Sequence, residues 1–186
     1  MDCLPLLASV LGNQYGVTVE IGGSEAYTDG KTIHLPALPL DSEPELITMI
    51  KGYCDHESAH IRETDFEILR KAQLTPFQHN LFNILEDWRV EERLSARYPG
   101  CRGNFRLLIQ KLFGTQKAGD TNPAFSILNT ILLTVRSWSV DAIIPRRKSV
   151  AKTMERHYPG LRKVLDGILD RMRDSCKDTE ECIRYA

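Results

Sequence analysis

Apolar positions fall into two periods along the chain. Between residues 16 and 35 they alternate: Val17, Val19 and Ile21 are separated by polar residues, Gly22-Gly23 breaks the run, and Asp29-Gly30 sets a turn before Lys31 to Leu35. This pattern predicts a small antiparallel β-hairpin over 16–35. Pro36 and Pro39 stop any strand, and Ser42-Glu43-Pro44-Glu45 supplies an N-cap, a first-turn proline and a capping-box glutamate. The spacing then turns helical. Leu46, Ile47, Met49, Ile50, Tyr53 and Cys54 predict a helix that runs to Glu63 or Thr64. Thr75-Pro76-Phe77-Gln78 opens a second one, carried by Leu81, Phe82, Leu85 and Trp88 and stopped by Pro99-Gly100, about 23 residues long. Further helices are expected over 105–113, 122–135, 147–157 and 161–177. The Gly-, Lys- and Asp-rich stretch 114–122 reads as a surface loop.

Composition changes this picture little. The 186 residues hold 42% hydrophobic and 26% charged residues, ordinary for a globular domain, and no apolar run reaches the roughly 20 residues of a membrane helix. The first residues lack the basic start and apolar core of a signal peptide, so a cytoplasmic location without membrane contact is expected. The net charge of -1 offers no general attraction to nucleic acid. It is unevenly spread: from Pro145 onward there are 11 basic and 7 acidic residues (+4), against 13 and 18 (-5) before it. The run Arg146-Arg147-Lys148 reads as a solvated helix start. Five scattered cysteines without a CxxC pair suggest reduced thiols, with Cys176 and Cys182 the one pair that could be oxidised.

Candidate chemistry lies on the first long helix, in His56-Glu57-Ser58-Ala59-His60. Histidines at i and i+4 project from one helix face and can ligate one zinc ion, while Glu57, about 100° round the helix, can reach a zinc-bound water as general base. The apolar residues Ile50 and Cys54 lie on the other side, so nothing in the packing pattern accounts for the histidine face. The second helix offers Glu86, Asp87 and Glu91. Glu86, flanked by Phe82, Leu85 and Val90, is the expected third ligand, completing a His2Glu site with an open position; the alternative for it is an ion pair with Arg89 or Arg93. Asp87 or Glu91 is expected to brace a ligand imidazole. His79, seven residues before Glu86, is a substitute ligand or oxyanion donor, and Tyr98, His157 and Tyr158 are candidate donors to a tetrahedral intermediate. Trp88 and Trp138 are expected in the core.

At these residues the sequence resembles the zincin metallopeptidases in their gluzincin arrangement. With Thr64-Asp65 and the string Leu85 to Glu91, it looks most like the metallopeptidase-like N-terminal region of bacterial and phage cobaltochelatase CobT-like proteins, over about residues 16–98. A von Willebrand A domain often follows in such proteins, and this chain ends at Ala186 without one. The pattern of elements predicts a mainly α (α+β) fold, a zincin-like helical domain with a small N-terminal β-hairpin, as one domain over 1–186: hairpin 16–35, two metal-site helices 42–98 and further helices 105–178. The resemblance implies Zn2+ held by His56, His60 and Glu86, and hydrolysis of a peptide or protein substrate with Glu57 as base. The strand Thr32–Leu35 is the expected edge for an extended substrate. Two other readings stand beside it: a non-catalytic, metal-stabilised interaction module, and an accessory subunit of a CobT-like metal-insertion complex working with a partner ATPase.

Overall fold

The computed structural model describes residues 3–14, 16–37, 42–114 and 123–186. Along the chain run α1 (Leu4–Gly12), β1 (Thr18–Ile21), β2 (Tyr27–Thr28), β3 (Thr32–Leu35), α2 (Pro44–Glu63), α3 (Phe66–Lys71), α4 (Pro76–Arg97), α5 (Cys101–Phe113) and α6 (Pro123–Arg136). A 3-10 turn (Asp141–Ile143) leads into α7 (Ile144–His157), α8 (Leu161–Ser175) and α9 (Thr179–Tyr185). The fold is mainly α with a small N-terminal β region, the class that the periodicity predicts. The loop expected over 114–122 lies, from residue 115, outside the described residues, and among the described residues no helix is long and apolar enough to cross a membrane.

The chain divides into two compact units, residues 1–66 with 89–108, and residues 67–88 with 109–186. In the first unit the expected hairpin is present but incomplete as a description. The strand order is β1-β3-β2, with β3 antiparallel to β2 and parallel to β1, Thr18 facing Thr32 and Ile21 facing Leu35. β3 is therefore the middle strand, paired on both sides, and cannot be the edge to which an extended chain adds; Ile33 and Leu35 are fully buried. The Asp29-Gly30 turn joins β2 to β3. Asp29 Oδ1 accepts the N–H groups of Lys31 and Thr32, each at 2.8 Å, and Gly30 takes the positive φ of 94° that a side chain would strain.

The apolar face of α2 closes over this sheet: Ile50, Cys54 and Ile61 share a core with Leu4, Ala8, Val17, Ile33 and Leu35. Helix α1 has no amphipathic period to announce it, being apolar almost throughout with a proline in its first turn. It is set by contact instead. A Cβ on Gly12 would lie 3.0 Å from Ile61 Cγ2, and one on Gly52 would lie 3.2 Å from the Asn104 carbonyl, so α1 and α5 both approach α2 at glycines.

The second unit is built on Phe82, Leu85, Ile131, Val135, Leu169, Met172 and Cys182, with Trp88 and Trp138 packed against them edge to face at 4.9 Å. The capping box that opens α4 is formed: Thr75 N–H donates to Gln78 Oε1 at 3.2 Å and Gln78 N–H returns to Thr75 Oγ1 at 3.3 Å. Helices α3 and α9 are too short to leave a periodic signal. The latter is fixed by its cap, Asp178 accepting the Glu181 N–H at 2.9 Å.

Candidate metal centre

Local sequence explains why α2 can carry two kinds of residue. Its core side is taken by Ile50, Cys54 and Ile61, which leaves His56 and His60 a turn apart on another face, their ring centroids 4.8 Å apart and nearly perpendicular. Each ring is held at Nδ1. His56 Nδ1 lies 2.7 Å from Glu91 Oε1, and His60 Nδ1 lies 3.0 Å from Thr64 Oγ1 at the C-cap of the same helix. An ionised carboxylate on Nδ1 accepts its proton and so leaves Nε2 as the metal donor, and a hydroxyl there orients the ring.

His56, His60 and Asp87 form a group whose ligand atoms all lie within 4.8 Å of one another. Asp87 stands one turn before Glu91 on α4, so the helix that braces His56 also carries this carboxylate. Asp87 and not the expected Glu86 thus joins the histidines. The reason is one of helix faces: the apolar flanks of Glu86 turn it inward, as expected, but toward the second unit's core. It is 0% exposed there and accepts from Thr179 Oγ1 at 2.9 Å. Asp87 Oδ2 also accepts from Arg136 Nη2 at 2.9 Å.

The other expected residues spread out. Glu57 is buried on α2 and stands outside the three-residue ligand group. Tyr98 sends its hydroxyl toward the Val10 carbonyl at 3.5 Å and carries the Arg62 guanidinium 5.7 Å over its ring. His79 is an exposed residue of α4 with its ring edge to Phe82, and His157 is exposed at the end of α7 beside Tyr158. Neither joins the group of His56 and His60. Sequence reasoning passed over Thr64, although its i+4 spacing from His60 was a usable signal. It also passed over Arg136 and Thr179, which reach α4 from 49 and 93 positions away and leave no local trace.

Burial shapes the chemistry beside the site. Asp55 is buried, and desolvation raises its carboxyl pKa above the ordinary value against the opposing pull of hydrogen bonds from Asn104, at 2.7 Å, and Cys101. The thiols of Cys54 and Cys101 are pushed up to about 12, first by burial and then by the negative charge of Asp55. The donor set suits zinc or a similar borderline ion: two imidazoles braced at Nδ1 and a carboxylate, with ligand atoms close enough to converge after a small contraction.

A family model described as Cobalamin biosynthesis protein CobT matches residues 2–185. The chain belongs to this family. No curated protein and no solved structure matches it. Membership corrects two expectations: a family of cobalamin biosynthesis replaces both the zincin metallopeptidase assignment and the zinc-peptidase activity expected from the HExxH sequence.

Proposed function

We propose that this CobT-family chain is a non-catalytic accessory module of a metal-insertion assembly for cobalamin synthesis, stabilised by a divalent cation, zinc, held by His56, His60 and Asp87. It would act with a partner subunit, an ATPase in the reading that the family suggests. The observation that carries the metal part is the convergence of two Nδ1-braced imidazoles and one carboxylate; the family match carries the rest.

In this reading Glu91 keeps the proton on His56 Nδ1 and directs Nε2 toward the site, and Thr64 orients the ring of His60. Asp87 supplies the negative charge that two neutral imidazoles lack, while Arg136 fixes its orientation and limits its donor strength. Zinc, when bound, would supply cross-linking between α2 and α4 rather than an activated water. A ligand that binds only the folded state stabilises it by about 2.7 kcal/mol at a hundredfold excess over Kd.

The test is zinc content and calorimetric zinc titration of the protein and three variants. Stoichiometric binding is expected for the wild type. His56→Ala and Asp87→Ala should lower affinity by at least about 100-fold, a larger loss than removing a bracing group produces, whereas Glu86→Ala should leave zinc affinity within a few-fold while costing stability. Absence of zinc in the wild type, or normal binding by Asp87→Ala with loss in Glu86→Ala, would overturn the ligand assignment.

A further inference from the structure

Helix α8 ends at Ser175 and α9 starts at Thr179, and this sharp reversal brings Cys176, the C-cap of α8, against Cys182 of α9 with their sulfurs 3.0 Å apart. Neither is in a disulfide. Their surroundings differ in a way that suits sequential chemistry: Cys176 is partly exposed and open to a reagent, and Cys182 is 0% exposed, within the core of the second unit. The other close pair of thiols, Cys54 and Cys101, has no such asymmetry. Both are buried, so neither is open to a reagent first.

We infer that Cys176 and Cys182 form a reversible redox-modification site, a dithiol that a small-molecule disulfide of the glutathione class converts to an intramolecular disulfide tying α9 to the end of α8. The Cys176 thiolate attacks one sulfur of the reagent, forming a mixed disulfide and releasing one thiolate. Cys182 then attacks the Cys176 sulfur, the new S–S bond forms within the chain, and the second reagent thiolate leaves. Two electrons pass from the cysteine pair to the reagent, and the two cysteine protons end on the two released thiols. What the bond would secure is on the same short helix. Thr179, three residues before Cys182, donates to the buried Glu86 carboxylate, so locking α9 keeps that carboxylate satisfied when the helix would otherwise fray.

The experiment uses the full chain, reduced, desalted and equilibrated without air against glutathione disulfide, followed by intact mass, thiol titration after denaturation and non-reducing peptide mapping. Wild type should lose two hydrogens and two of its five titratable thiols, show a single Cys176–Cys182 linkage, and recover on dithiothreitol. Cleavage within α9 by a limiting protease should slow about tenfold in the oxidised form. Cys176→Ser, a change at a partly exposed cap, should keep its remaining thiols, and Cys182→Ser should stop at a glutathione adduct on Cys176. Retention of all five thiols by the wild type, a Cys54–Cys101 linkage in its place, or loss of two thiols in Cys176→Ser would overturn the inference. None of these readings depends on zinc, so the outcome is separable from that of the metal site.

Discussion

In the first unit polar partners are strung along one helix: the buried Asp55 meets Asn104 and Cys101, the half-buried His56 meets Glu91 and the half-buried His60 meets Thr64, while Arg89 donates to the Glu63 carbonyl at 2.8 Å near the helix end. In the second unit Ser126, Thr130 and Ser137 turn back onto carbonyls of their own helix, and the contacts that concern α4 come from distant segments, Thr179 to Glu86 and Arg136 to Asp87. The two arrangements respond differently to change. A series of partners along one helix positions several side chains together, and each unmade bond falls on neighbours in the same low-dielectric environment. A contact between distant segments ties those two segments to each other.

The largest expected effect is on the reactivity of the first unit's buried thiols. At pH 8 a thiol with a pKa of about 12 is about one part in ten thousand thiolate, against roughly a quarter for an ordinary thiol near 8.5, so alkylation of native Cys54 and Cys101 should run about a thousandfold slower than that of an ordinary exposed cysteine. Timed iodoacetamide labelling with peptide mass analysis measures it. The sign follows from the direction of the shift: a raised pKa keeps the thiol neutral until the pH approaches the shifted value. Rapid labelling of Cys54 would mean that the polar series on α2 opens to solvent and that its contrast with the second unit is lost.

Much of this architecture was legible because it is local. The spacing of Ile50, Tyr53 and Cys54 carries α2, and the reciprocal Thr75–Gln78 cap marks the start of α4 within one residue of Pro76. The parallel pairing of β1 with β3 was not legible, since alternation reports which residues face a core and not which strand lies alongside. The choice between Glu86 and Asp87 was not legible for a related reason. Adjacent residues on a helix differ by about 100°, and apolar flanks show that one of them is buried but not in which core. Thr179, far along the chain, is what settles the environment of Glu86. The five-residue HExxH motif likewise predicts two histidines on one face, and nothing in it distinguishes a bound ion that hydrolyses from one that pins helices together.

A smaller effect should follow from Glu91→Gln. Glutamine preserves the shape and can still accept from His56 Nδ1, but it removes the negative charge that makes the imidazole a stronger donor. Zinc affinity should fall about 10-fold to 100-fold, or about 1.4–2.7 kcal/mol. Thr64→Val, which withdraws a neutral hydroxyl from His60, should cost only a few-fold. Calorimetric titration of both variants sharpens the comparison. Equal losses would show that the charge on Glu91 is immaterial and that the series on α2 acts only by positioning.

The smallest effect concerns a polar group of the first unit that lies off this series, Asp29 in the β2–β3 turn. Its carboxylate is held below the ordinary value near 3.8, first by the Thr32 N–H and then by that of Lys31. A depressed acid contributes stability above its unfolded pKa, and that contribution disappears as the pH falls below about 3.8 and through the folded value. Because the turn is exposed, Asp29→Ala should cost only about 1 kcal/mol at pH 6, the net worth of a hydrogen-bonded turn side chain in water. Asp29→Asn, which retains the acceptor without the charge, should fall between the two and lose the dependence on pH. Urea unfolding at pH 6 and near pH 3 measures the difference, which should shrink at the lower pH. A penalty for Asp29→Ala that stays constant across this range would show that the turn is held by the shape of Asp29 and not by its charge, the opposite of the role given to Glu91.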